Sequence, residues 1–192
     1  MTTSYELPEA PETEPETEPR TLSEIEREER GFELRQREAK ALAASTLVPT
    51  AYQGREGIPN VMIALNMARR LNADPLMVMQ NLHVINGKPG WSAQFLIATF
   101  NSCGRFSSIR YEFEGGSCKA VCTELATSKE IEGTTITMEM ADAEGWTKKA
   151  GSKWKTMPEQ MLKYRAATFL IRSIAPEIGL GLYTSEELKD IE

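Results

Sequence analysis

At 192 residues, with 41% hydrophobic and 26% charged side chains, the chain is long enough for one ordinary domain of about 150 residues, which buries roughly 68–70% of its unfolded surface. No window approaches the roughly 20 uninterrupted apolar residues of a membrane span, and the N-terminus is acidic where a secretory signal is basic and then apolar. A cytoplasmic protein is expected. The formal net charge of −6 misleads, because six of the 28 acids lie in the first 19 residues, which hold no Lys or Arg; 28 less six leaves 22 acids against 22 bases from Arg20 onward. Charge must therefore be judged by its distribution, and an acidic balance does not exclude nucleic acid.

Cys103, Cys118 and Cys122 form an odd set without a CxxC pair, and His83 is the single histidine. That argues against a disulfide framework or a zinc cage. Cys118 and Cys122 are expected as small apolar residues on one face of a strand, and His83, inside the apolar stretch Leu82 to Ile85, as a packed or hydrogen-bonded side chain.

In chain order, residues 1–20 alternate Pro, Glu and Thr with almost nothing apolar, too little to offset ordering entropy, so a disordered acidic tail is expected. Residues 21–45 are rich in Glu, Arg and Ala, with opposite charges four apart such as Glu26 and Arg30, and are expected as a charged, solvated helix. Residues 46–192 are expected as the folded core. Pro49, Gly54 and Gly57 mark a loop, Pro59 stands where a helix begins, and Met62, Ile63, Leu65, Ala68 and Leu71 continue it. Asp74-Pro75 reads as a cap for a short helix over Leu76 to Asn81. His83 to Trp91 reads as two extended pieces around Asn86-Gly87, and Ser92 caps a helix over Ala93 to Phe100. The period then changes to two, with strands expected at Phe106 to Glu114, Cys118 to Ala126 and Thr134 to Met140, turning at Gly115-Gly116 and at Glu130 to Gly133. A last helix runs from Pro158 to Ile174. Its start is either a capping box, Thr156 to Glu159, or Met157 as cap with Pro158 in the first position. The expected fold is α+β, a small antiparallel three-stranded meander and a short hairpin packed with about five helices.

The least neutral region is Trp146 to Arg172. Lys148, Lys149, Lys153, Lys155, Lys163, Arg165 and Arg172 face one acid there, Glu159. Trp146 and Trp154 are interleaved with the lysines, and Gly145, Gly151 and Ser152 read as a flexible setting. Cations that track phosphates and aromatic faces that stack on bases are the pattern of a single-strand binder. Met161, Arg165, Thr168 and Arg172 fall on one stripe of the last helix, with Leu162, Ala166, Phe169 and Leu170 toward the core. The competing reading is a solvated basic face with Trp154 in the core. No GxxxxGK[ST] loop, GxSxG elbow or metal-spaced His/Cys cluster is present, so neither a nucleotide-driven motor nor another catalytic site is expected. Asp142 and Glu144 beside the basic region leave a metal-dependent nuclease as the enzyme alternative.

Residues 47–100, LVPTAYQGREGIPNVMIALNMARRLNADPLMVMQNLHVINGKPGWSAQFLIATF, resemble the N-terminal half of the RecT family of phage and prophage single-strand annealing proteins. Residues 153–188, KWKTMPEQMLKYRAATFLIRSIAPEIGLGLYTSEEL, resemble its closing signature. The resemblance spans about Leu34 to Leu188. It implies a DNA-binding protein, not an enzyme, that anneals complementary strands without ATP as a ring or helical filament. No cofactor is required, Mg2+ at most assisting annealing. The implied partners are single-stranded DNA, the annealed duplex, a partner exonuclease and the single-strand binding protein of a bacterial host, with no membrane. A binding module that protects single strands without annealing them is the alternative. Carried onto this chain, the closing signature holds Lys153, Trp154, Lys155, Lys163, Arg165 and Arg172, and the N-terminal one Lys88 and Trp91. With Lys148 and Lys149, these are the expected DNA-binding residues. Family members commonly continue into a C-terminal segment that engages the host protein; this chain stops at Glu192, which leaves recruitment through that segment open.

Overall fold

The computed structural model describes residues 22–191, so the expected tail over residues 1–20 lies outside the described residues. The charged segment forms α1 (Leu22–Ala43), whose Ala39 and Ala43 are buried against α2 (Gly54–Leu71). Small side chains at those two positions let the helix axes approach. Between them a 3-10 turn, Thr50–Tyr52, buries Tyr52, whose hydroxyl donates to the Leu82 carbonyl at 3.0 Å.

Helix α2 starts five residues before Pro59, which corrects the expectation of a loop through Gly57. Proline deprives only the Arg55 carbonyl of a partner, and Arg55 lies in the exposed first turn, where water replaces the lost bond. Gly57 is needed for packing: a Cβ there would meet the Tyr52 backbone at 2.2 Å. Asn72, left-handed at φ 50°, ends the helix.

Asp74 caps α3 (Pro75–Asn81) by accepting from the Met77 amide at 3.0 Å. β1 (Leu82–Ile85) and β2 (Lys88–Trp91) then pair antiparallel through Asn86-Gly87, at φ 47° and 80°. Positive φ at both turn residues matches the right-handed twist of the strands. His83 is exposed on β1, not packed as expected. Ser92 caps α4 (Ala93–Ser102), accepting from the Phe95 amide at 3.1 Å.

The sheet is β3 (Arg110–Glu114), β4 (Ser117–Glu124) and β5 (Lys129–Glu132) in antiparallel order. β6 (Ile136–Thr137) pairs with the Ser117 end of β4, while β5 pairs with its Val121–Glu124 end. The meander holds, but its third strand is displaced from the expected Thr134 to Met140. The Thr137 hydroxyl accepts from the Met140 amide at 3.1 Å and starts a helix, α5 (Met138–Ala143). The stretch expected as the second turn is strand instead, with Ile131 opposite Cys122. Cys118 and Cys122 are both fully buried on one face of β4, as their spacing predicts.

The chain continues through α6 (Lys153–Thr156), α7 (Pro158–Ile174), a 3-10 turn at Pro176–Gly179 and α8 (Ser185–Ile191). Met157 caps α7 with Pro158 in its first turn, the second of the two starts considered. Two apolar clusters share the interior. One joins α1, α2, α3 and the hairpin; the other packs α7 between the sheet and α4. Helix α4 bridges them, with Phe95 in the first and Leu96 and Phe100 in the second. No helix among the described residues is long and apolar enough to cross a membrane.

Candidate nucleic-acid interface

Helix α7 carries three of the expected contacts, Lys163, Arg165 and Arg172, and its position in the middle of the second cluster decides which of them are accessible. Met161, Leu162, Arg165, Ala166, Ala167, Thr168, Leu170 and Ile171 are all buried. The sheet covers one side and α4, α6 and the turn after α7 cover others, so the helix has no broad solvated face. The expected stripe of Met161, Arg165, Thr168 and Arg172 is therefore corrected: its first three members face protein.

Arg165 is 5% exposed and lies over the Trp146 ring, 3.8 Å from its centroid. Its guanidinium bonds the Asp190 carboxylate of α8, which also accepts from Trp154 Nε1 at 2.8 Å. Burial pushes the Asp190 carboxyl above its usual value, and the bonds from Trp154 and Arg165 oppose that rise. Trp154, 1% exposed, packs at 5.1 Å between centroids from Trp146. Trp91 is fully buried, and its Nε1 donates to the Gly179 carbonyl at 3.0 Å. In this structure Arg165, Trp154 and Trp91 pack the interior, so the expectation that they line a DNA groove is corrected. The aromatic rings and the guanidinium that suit a base or a phosphate satisfy one another more fully inside the fold.

Arg172 is partly exposed but committed. Its guanidinium bonds both oxygens of Glu187 at 2.7 and 2.6 Å and stacks 4.7 Å from the Tyr183 centroid. Glu187 is itself buried and closes a capping box with Thr184: the Thr184 amide donates to its carboxylate at 2.9 Å, and its own amide donates to the Thr184 hydroxyl at 3.3 Å. That box starts α8, an element the sequence reading missed although Thr184-Ser185-Glu186-Glu187 carries its signature.

The remaining cations are placed differently. Lys148, Lys153, Lys155 and Lys88 are exposed. Lys149 and Lys153 line one groove of about 540 Å³, with Lys189 from α8, Asn86 at the hairpin turn, and Gln160 and Tyr164 from α7. The segment over residues 146–152 is held rather than loose. Ser152 donates to the Trp146 carbonyl at 2.7 Å and caps α6, and Lys149 Nζ donates to the Lys189 carbonyl at 3.0 Å. Two acids also line the groove, and both are engaged internally: Glu186 accepts from the Ala93 amide at 3.1 Å, and Asp190 holds Arg165 and Trp154. The three lysines therefore set the sign of charge offered to a ligand there. Lys189 and Asn86 escaped the sequence reading because they reach the groove only by the docking of α8 and the hairpin.

Lys163 stands apart, on the sheet side of α7, with Nζ 5.9 Å from the Tyr111 ring centroid and 5.5 Å from that of Phe113. Burial and the neighbouring Cys118 and Tyr164 push the Tyr111 hydroxyl up to about 12. Asp142 and Glu144 are exposed, Asp142 accepting from the Thr147 hydroxyl. Among the described residues no group of three or more His, Cys, Asp or Glu is placed to hold a metal ion.

No curated protein matches the chain. Residues 104–192, which hold the sheet, α7, α8 and most of the lysine groove, match the model of the RecT family; residues 47–100 lie outside the matched span. Over residues 104–192, somewhat less than half of its length, the chain is thus similar to the RecT family.

Proposed function

We propose that this chain binds single-stranded DNA along the groove of Lys149, Lys153 and Lys189 and anneals complementary strands without hydrolysing nucleotide, working as a homo-oligomer in the cytoplasm of a bacterial host. The observation that carries the reading is the convergence of three lysines on one open groove within the RecT-family segment. Lysines are compact point charges that hold phosphates without reading bases, so one protein serves any sequence. The base pairs formed on annealing supply the driving free energy. No metal or organic cofactor takes part in this scheme, beyond Mg2+ as an aid to bringing two polyanions together. A partner exonuclease that exposes single strands, and the host single-strand binding protein that coats them, are the proteins it would work beside.

The test is the pairing rate of two complementary fluorescent oligonucleotides with Mg2+ and without ATP. Acceleration by the protein is the expected result. Slower pairing with intact strands would leave a protective binding module, and shortened strands would indicate nuclease activity and bring back Asp142 and Glu144. If all three lysines neutralise phosphates, affinity falls about 20-fold between about 50 and 200 mM salt, from a slope of roughly −0.7 per contact on single strands. Lys153→Ala and Lys189→Ala are each expected to weaken binding alike across sequences and to flatten that slope by roughly 0.7. An unchanged slope in both variants would place the phosphates elsewhere.

A further inference from the structure

Phe113 is the next-to-last residue of β3, and the residue is 45% exposed. Strand alternation puts Glu112 and Glu114 on the opposite face of the sheet, where Glu112 lies 3.4 Å from Lys119 Nζ. Phe113 thus faces the side on which α7 lies, beside Lys163, which takes part in no ion pair among the described residues. Of the other exposed rings, Tyr183 stands beside Arg172, whose charge Glu187 already neutralises, and Phe32 lies beside Arg35 on α1, away from the groove-lining residues.

Lys163, 5.5 Å from the Phe113 ring centroid, leads on to the lysine groove. Met157 and Gln160 line that groove and, together with Lys163, an adjoining depression of about 390 Å³. A strand leaving Lys149 and Lys153 therefore crosses Met157, 50% exposed, and arrives at Lys163 and the ring beside it. Glu159 lines the depression as well.

We propose that Phe113 is a stacking platform for one nucleobase of the bound strand, with Lys163 on an adjoining phosphate. The proposal rests on the single-strand binding reading above and adds to it a contact to bases outside the groove. A phenyl face accepts any base, so the contact adds affinity without sequence preference. It also holds a base flat and unpaired.

The test compares the full chain with Phe113→Ala and Phe113→Tyr on a fluorescent thymidine oligonucleotide and on an abasic oligonucleotide of the same length. Phe113→Ala is expected to bind the thymidine strand roughly 5- to 150-fold more weakly, the range of one lost stack, with its salt slope unchanged. Phe113→Tyr should restore affinity, and all three proteins should bind the abasic strand alike. Equal binding of the thymidine strand by Phe113→Ala and the unsubstituted chain would overturn the platform and leave the groove standing. Equal losses on both strands would overturn it too, by showing that the ring acts through the fold or the backbone. Failure of the unsubstituted chain to bind either strand would remove the platform and the groove together.

Discussion

Trp154→Ala is expected to unfold at a markedly lower denaturant concentration than the unsubstituted chain, with a loss of about 3–5 kcal/mol, the range for truncating a core Trp. The indole is 1% exposed, packs on Trp146 and donates to Asp190. Alanine would open a cavity and withdraw a donor from a buried carboxylate in the same step. Trp154→Phe keeps most of the volume and removes only the donor, so its cost should be about 1–3 kcal/mol. Chemical denaturation followed by circular dichroism reads both. A Trp154→Ala protein with an unchanged unfolding midpoint and lost single-strand binding would return Trp154 to the DNA surface and refute its packing role.

Arg165→Met should cost a similar amount, about 3–5 kcal/mol, because it leaves the Asp190 charge buried without its counter-ion. The double variant Arg165→Met with Asp190→Asn should regain much of that loss. The asparagine carboxamide oxygen still accepts from Trp154, and no buried charge remains unpaired. The single variant should also depend on pH. Without the guanidinium, burial is opposed only by the Trp154 bond and the Lys149 charge, and the folded value of Asp190 rises further above the unfolded one. A group raised in the folded state contributes stability that is present at low pH and lost as pH rises through the folded value. Arg165→Met should thus lie nearest the unsubstituted protein in acid and furthest from it at neutral pH. A deficit that stays constant across pH would show that Asp190 does not carry the effect.

These two substitutions concern the residues most easily mistaken for contacts. A Lys-Trp-Lys loop followed by a helix with Arg165 and Arg172 has the composition of a single-strand binder, and the same groups here assemble an internal latch. Two arginines of α7 hold two carboxylates of α8, Arg165 with Asp190 and Arg172 with Glu187. That latch sets α8 against the groove and so presents Lys189 beside Lys149 and Lys153. The arginines serve the proposed interface by placing a lysine.

Local chemistry made much of the fold readable from sequence alone. Asp74 and Ser92 cap the helices they precede, Asn86-Gly87 and Gly115-Gly116 turn the hairpins, and Cys118 and Cys122 share the buried face of β4. Each of these depends on a few neighbours along the chain, within reach of propensity and spacing. The closing signature over residues 153–188, which falls within the matched span, and the excess of lysine before α7 were readable for the same reason. Tertiary structure decided the rest. The exception is local, the Thr137 cap on the Met140 amide that opens α5 where a strand was expected. Whether Arg165 and Trp154 meet solvent or one another depended on α7 being enclosed by the sheet, α4 and α6, which no periodicity within α7 records. The same sequence pattern of cations and rings is compatible with a surface and with a core. The choice falls to the element that docks over it, because a buried arginine is tolerable only where a carboxylate and aromatic faces arrive from elsewhere in the chain.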